Sequence, residues 1–309
     1  MTILITGAAG FIGASLTQHL VIGGHEVQAL DSFADGLYSS SEKEARSNEL
    51  TEKIGIKVWK KELNDPDLRI PRHVTSVIHL AAMPGLLYSW KKPIEYITNN
   101  ELATLNLIRA CLSSGVEKFT YVSTSSVYGK VAVGSEESLP NPVSPYGLSK
   151  LASEKIVQLY AAGQIEYSIA RLYSVYGPGQ RSDMAYHRFI NSAIHNTDIS
   201  IYGDGTQSRS NTYIDDAVIG LELTHKSGRD GEIYNIGGGQ SVGLLSAVGQ
   251  ILALTGSNSK LSFTDRALGD QDRTKADFSK AESELGFQPK VLFEEGIKNQ
   301  IKWQRSLQK

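Results

Sequence analysis

Ile3-Leu4-Ile5-Thr6-Gly7-Ala8-Ala9-Gly10-Phe11-Ile12-Gly13 decides how the rest of the chain is read. A short apolar run, fit for a buried strand, leads into three closely spaced glycines and then into helical apolar spacing from Phe11 to Val21. Glycines at Gly7, Gly10 and Gly13 allow a tight turn, a close approach of backbone to a pyrophosphate, and close packing of helix on strand. The free N–H groups and positive dipole end of the helix then face the phosphates.

Working outward, the same alternation continues. Apolar runs recur at Glu26–Leu30, Ile56–Trp59, Val77–Leu80, Phe119–Ser123 and Tyr167–Leu172, separated by helix-like segments such as Asn100–Leu112. Near-continuous apolar runs suit strands buried on both faces of a parallel sheet. Strand–helix alternation predicts an α/β fold: a Rossmann-type doubly wound parallel sheet. After about Val175, glycine turns (Gly177-Pro178-Gly179, Gly203-Asp204-Gly205, Gly237-Gly238-Gly239) interrupt the pattern and predict a smaller mixed α/β substrate lobe. The expected division is a dinucleotide lobe over 1–175 and a substrate lobe over 176–309, with parts near 208–237 free to return to the first. Ser39–Asn48 reads as a solvated loop or helix, and Phe293–Trp303 as a terminal helix.

The second run ends in Asp31, 18 residues after Gly13, where a carboxylate accepts hydrogen bonds from an adenosine ribose. Ser32 and Phe33 follow, with no arginine for a 2′-phosphate, so the expected cofactor is NAD rather than NADP. Tyr146 and Lys150 are one helical turn apart and share a helix face, behind a Ser144 cap and a first-turn Pro145. A tyrosine is a weak base at neutral pH; a neighbouring ammonium favours its phenolate and makes it a general base and acid for a hydroxyl. The hydroxyl cluster Ser123-Thr124-Ser125-Ser126 ends the fifth strand, on the edge where ligands of open α/β sheets bind.

Composition narrows the partners. Of 309 residues, 31 are Lys or Arg and 33 Asp or Glu, for a net charge of −2, which offers neither nucleic acid nor an anionic membrane surface an electrostatic handle. No apolar run reaches bilayer length, and the N-terminus lacks a signal-peptide pattern, so a cytoplasmic location is expected. The single cysteine, Cys111, excludes an internal disulfide and multi-cysteine metal sites, and reads as a core thiol. No histidine pair has metal-ligand spacing, so no metal is expected; His79 reads as structural, and Trp59, Trp90 and Trp303 as packing residues.

Gly7-to-Gly13, His79-Leu80-Ala81-Ala82, the Thr124 cluster, Tyr146-x-x-x-Lys150 and Arg171-x-x-x-Val175-Tyr176-Gly177-Pro178 together resemble the extended short-chain dehydrogenase/reductase family. The resemblance continues through Arg209, Tyr213-Ile214-Asp215-Asp216, Asn235-Ile236-Gly237 and Gly269-Asp270 to Ala276-Asp277. It implies NAD in the first lobe and a nucleotide diphospho-sugar in the second. Ala82-to-Gly85 with Trp90, Ser123-to-Ser126, Gln180-to-Ala185 and Gly203-to-Arg209 are most similar to the UDP-glucuronate 4-epimerases. By that resemblance Thr124, Tyr146 and Lys150 are catalytic. Phe11, Ile12, Glu62, Leu63, Ala81, Asn100 and Lys150 line the cofactor path. Ser125, Ser126, Ser174 and Arg181 surround the sugar carboxylate, Arg209 meets the diphosphate, and Asp270 the uridine ribose.

The implied reaction passes through a transient 4-keto sugar, with NAD regenerated in each cycle. Related decarboxylases and dehydratases carry an acid just after the catalytic threonine, where Ser125 and Ser126 stand here. The chain departs from the glucuronate epimerases at Leu87 (arginine there), Ser174 (threonine), Ser182 (proline) and Ser210-Asn211 (Asp-Phe). A neutral UDP-hexose or UDP-N-acetylhexosamine is the alternative substrate, and a non-catalytic NAD-binding protein the remote one. The resemblance also implies a homodimer through the helices beginning near Asn100 and Pro145. Ala103, Leu107, Ala110, Ala152 and Ile156 suit that interface and equally a single-chain core.

Overall fold

The computed structural model describes residues 2–308. The chain begins β1 (Thr2–Thr6), α1 (Phe11–Ile22), β2 (Glu26–Asp31), α2 (Ser40–Ile54), β3 (Val58–Lys60) and β4 (Val74–His79). Two short helices, α3 (Leu86–Lys91) and α4 (Pro93–Tyr96), lead through a π-helical turn at Ile97–Leu102 into α5 (Ala103–Ser114) and β5 (Lys118–Thr124). Then come a 3-10 turn at Ser125–Tyr128, β6 (Val131–Gly134), α6 (Pro145–Ala161), β7 (Glu166–Leu172) and β8 (Val175–Tyr176). The second half holds α7 (Ala185–His195), β9 (Ile199–Tyr202), β10 (Ser208–Ser210), β11 (Thr212–Tyr213), α8 (Ile214–Ser227), β12 (Glu232–Ile236) and β13 (Ser241–Gly243). It closes with α9 (Leu244–Thr255), β14 (Leu261–Thr264), β15 (Arg273–Ala276), α10 (Ser279–Leu285) and α11 (Phe293–Ser306).

Seven parallel strands form the main sheet in the order β12-β7-β5-β4-β1-β2-β3. Strands β4, β5 and β7 are buried along almost their whole length, and β1 is buried at every position, as an apolar run covered on both faces requires. The order reverses between β1 and β4, and the crevice for a ligand opens there, at the carboxyl ends of the strands. The chain comes back to this sheet after residue 208: β12 pairs with β7, and α8 packs on α1. A smaller sheet has the order β13-β10-β15-β6, and its Arg209 and Val242 line the same cleft as the carboxyl ends of the main strands.

Of the loop or helix expected over Ser39–Asn48, the chain forms mostly helix: Ser39 Oγ accepts the Ser41 N–H at 3.2 Å, and Gly55 ends α2 in the left-handed region at φ 71°. Other segments differ from the sequence reading. Asn100–Leu112 does not begin as a regular helix. Its start is π-helical, which swings Asn100 inward, where Oδ1 accepts the Met83 N–H and Nδ2 donates to Ser149 Oγ. Trp59 and Trp90 are 61% and 48% exposed, because β3 is an edge strand and α3 a short surface helix. His79 is structural as expected, bonded to Thr6 Oγ1 and Thr104 Oγ1, and Cys111 is buried in the core.

Candidate active site

The crevice at the sheet reversal widens into a cleft of about 840 Å³ that runs from the glycine turn to the second lobe. Its cofactor end is built by backbone contact. Gly7 sits at φ +74°, and a Cβ there would lie 2.8 Å from the Ala81 nitrogen. A Cβ on Gly13 would meet the Gly7 carbonyl oxygen at 2.1 Å, so helix and turn touch as only glycine permits. Asp31 is buried at the end of β2; Oδ2 accepts the Ala9 N–H at 3.1 Å and Oδ1 the Phe33 N–H at 2.9 Å. Gly10, Phe11, Ile12, Glu62, Leu63 and Ala81 continue the wall. This cradle, with an acid at the second strand end, fits a dinucleotide.

Asn100 is not in that wall. It is 1% exposed and stands behind it, gripping the Met83 backbone. The sequence reading found no arginine after Asp31, yet α2 brings Lys43 Nζ to 4.0 Å from Asp31 Oδ1. No spacing signals this approach, because it depends on where α2 crosses the cleft. Tyr38, also unforeseen, lines the cleft beneath Lys43, Arg46 and Arg181 at 5.2, 5.8 and 5.3 Å from its ring centre.

Thr124, Ser125, Ser126, Ser174, Tyr146 and Lys150 line the middle of the cleft. Thr124 ends β5 and caps the 3-10 turn, its Oγ1 accepting the Ser126 N–H at 3.2 Å. Ser144 Oγ accepts the Gly147 N–H at 3.0 Å, and Pro145 opens α6, which sets Tyr146 and Lys150 on one face as expected. Lys150 is 3% exposed; Nζ donates to Val122 O at 2.7 Å and lies 4.2 Å over the Tyr121 ring. Burial pulls Lys150 down to about 7, with the Glu154 carboxylate opposing it.

The half-buried Tyr146 titrates above the ordinary phenol range. Burial raises it, while the Thr124 hydroxyl and the Arg181 guanidinium pull it back. The ammonium expected to favour the phenolate is Lys150, but its Nζ is engaged by Val122 O. In the protein alone, desolvation outweighs its charge.

At the far end the two predicted arginines are each paired with a carboxylate, one of them Asp183, which was not predicted, and the other the predicted Asp270. Arg181 is bidentate to Asp183, with Nε–Oδ1 at 2.9 Å and Nη2–Oδ2 at 3.0 Å. Arg209 Nη2 donates to Asp270 Oδ1 at 2.7 Å. Leu37, Met83, Leu86 and Leu87 add an apolar stretch to the wall. Among the described residues no group of His, Cys, Asp or Glu is placed to hold a metal ion, and no helix is long and apolar enough to cross a membrane.

Residues 3–237 match the model of the NAD dependent epimerase/dehydratase family. The chain belongs to this family. Among family members, it is 34% identical over 310 residues to a UDP-glucuronate 4-epimerase of Thermodesulfobacterium geofontis, covering 98% of this chain and 95% of that one. An uncharacterized UDP-glucose epimerase of Bacillus subtilis is 38% identical over 312 residues, covering 99% of each. The crystal structure of UDP-glucuronic acid 4-epimerase from Bacillus cereus, in complex with UDP-glucuronic acid and NAD, superposes with a TM-score of 0.93 at 35% identity, covering 99% of this chain and 100% of that one.

Proposed function

We propose that this epimerase/dehydratase family member is an NAD-dependent UDP-sugar 4-epimerase that interconverts UDP-glucuronate and UDP-galacturonate. The observation that carries the reading is the cleft segment after Thr124. Ser125 and Ser126, rather than a carboxylate, follow Thr124, and both line the cleft together with Tyr146.

Bound NAD supplies a reversible hydride acceptor for C4 of the sugar. Gly7, Gly10, Phe11, Ile12 and Gly13 hold its pyrophosphate end, Asp31 the adenosine ribose, and Glu62, Leu63, Ala81 and Lys150 the rest of its path. Asn100 serves this path from behind, through Met83. Tyr146 takes the proton of the 4-hydroxyl and later returns one to the same oxygen, while Thr124 holds that oxygen. The cofactor's own positive charge, added to Thr124 and Arg181, lowers Tyr146 toward working pH. Ser125, Ser126, Ser174 and Arg181 hold the carboxylate near the ring plane, which slows loss of carbon dioxide from the β-keto acid. Arg209 meets the diphosphate and Asp270 the uridine ribose, so the 4-keto sugar stays tethered while it turns over.

Two observations favour a second reading, a neutral UDP-hexose. Asp183 already occupies two donors of Arg181, and apolar Leu87 lines the cleft. Proton NMR of the protein with NAD and UDP-glucuronate, with UDP-glucose and UDP-N-acetylglucosamine in parallel, separates the two. A UDP-galacturonate anomeric signal is expected in the first tube alone. Turnover only of a neutral sugar overturns the uronate reading, and silence in all three overturns it too, leaving a rarer nucleotide sugar or a non-catalytic NAD-binding protein.

The nucleotide-sugar lobe in this reading is 176–309, less the part near 208–237 that joins the first lobe. The enzyme works in the cytoplasm as a homodimer through α5 and α6. Ala103, Leu107 and Ala110 pack inside the chain; Leu102 just before α5, and Leu148, Leu159 and Tyr160 of α6, are exposed, at 43%, 59%, 77% and 40%. Light scattering after size exclusion tests it, with a monomer mass as the contrary outcome.

A further inference from the structure

Glu154 stands on α6 one turn beyond Lys150 and two beyond Tyr146, and is fully buried. Its Oε1 accepts from Ser123 Oγ and from Arg171 Nε at 3.0 Å, and its Oε2 from Arg171 Nη2 at 2.7 Å. Arg171 Nη1 donates to the Tyr128 hydroxyl at 2.9 Å, and that hydroxyl to Asn235 Oδ1 at 2.8 Å. One carboxylate thus ties α6 to β5, β7, the 3-10 turn and β12. Ser123 is the residue before Thr124, so the tie ends next to the reacting centre.

A buried ion pair is a poor device for stability, since well-packed apolar residues in its place are often as stable or more so. The surroundings of Lys150 supply a chemical reason for the charge. Around its ammonium are the Tyr121 ring and Val122 O on β5, His79 on β4, and Glu154 one turn on along α6, itself bonded to the Arg171 guanidinium of β7. Burial holds His79 neutral, pulled down to about 3. Glu154 is the anion that favours the charged lysine.

We infer that Glu154 is a positioning residue for the reaction, fixing Ser123 and the Thr124 turn from behind and compensating the buried Lys150 ammonium, with Arg171 holding its carboxylate in place. This rests on the reading of Tyr146 and Lys150 given above.

The test is the Lys150 13Cε resonance in full-length, cofactor-free protein, assigned by its loss in Lys150→Met and followed across pH. The expected midpoint near 7 falls by about one unit or more in Glu154→Gln. It recovers in Glu154→Asp, which restores the charge. Should Glu154→Gln not fold, Glu154→Gln with Arg171→Met removes the anion and the cation behind it together, and is expected to show a fall in the same direction but smaller, because Arg171 no longer offsets the lost carboxylate. A midpoint unchanged in a folded variant overturns the inference. Since the readout needs neither NAD nor sugar, it stands apart from the substrate. The alkaline limb of kcat is expected to move down with the midpoint, whereas a normal titration with no turnover would sink only the epimerase reading.

Discussion

Arg209 and Asp270 are bonded to each other across the cleft, Nη2 to Oδ1 at 2.7 Å, with the Arg209 Nη1 also donating to the Ser208 carbonyl. Both are proposed to meet the nucleotide, one at its diphosphate and one at its ribose. A ligand arriving here exchanges an internal charge-assisted bond for two external ones. The pair therefore holds the arginine in place before binding rather than leaving a long side chain to be ordered by it.

Removing the arginine is expected to weaken binding more than chemistry. A hydrogen bond to a charged group contributes about 1.5–3 kcal/mol, or roughly 10- to 150-fold in affinity. Arg209→Gln should raise KM for the UDP-sugar and Kd for UDP alone by that order, with kcat within a few-fold. Calorimetry with UDP checks it, and an unchanged Kd would place the diphosphate elsewhere.

Tyr146→Phe should lower kcat by about 10²- to 10⁴-fold while leaving the circular dichroism spectrum and NAD binding intact. Thr124→Ala removes one of the two groups that pull the Tyr146 phenol down from its raised position. In the proposed mechanism the phenolate is the working base, so the acid limb of kcat should move to higher pH in that variant. A limb that stays put means another group sets it.

Lys150 makes a prediction about stability. Its folded value, about 7, lies below the 10.5 of an exposed lysine. Between those values the unfolded chain binds a proton that the folded one does not, so this group's contribution to stability rises with pH across that window. Below the window both forms are charged and the full burial cost is present. Lys150→Met should be inactive, yet melt at or above the wild-type Tm near pH 6 and lose that advantage toward pH 10. A lower Tm for the variant at the acidic end would contradict the burial cost.

Arg181 tests the uronate. In the proposed reading its guanidinium, anchored by Asp183, faces the sugar carboxylate. Arg181→Met should lower kcat/KM for UDP-glucuronate by about 10-fold or more, and change that for any neutral UDP-hexose turned over much less. Equal losses for both sugars would assign Arg181 to the cofactor or diphosphate instead.

Most of the scaffold was legible from local pattern. Glycine spacing, apolar runs and a terminal Asp31 are readable because parallel strands buried on both faces leave little choice of residue, and because only glycine tolerates the contacts at Gly7 and Gly13. Tyr146 and Lys150 were legible for the same reason, since a helical turn brings them to one face whatever surrounds it. The Asn100 segment was not, because its π-turn answers a bond to Met83, seventeen residues away in sequence.

By itself, then, the sequence determined the sheet, the glycine cradle and the placing of Tyr146 and Lys150 on one helix face. Tertiary structure alone decided how those side chains are charged and paired. Lys150 is discharged toward about 7 because the fold removes water around it, and Tyr146 is raised for the same reason. Arg209 finds Asp270 61 residues away, and Glu154 finds Arg171 and Ser123 on two neighbouring strands. Such pairings depend on distance through space and on desolvation, neither of which is written in residue spacing.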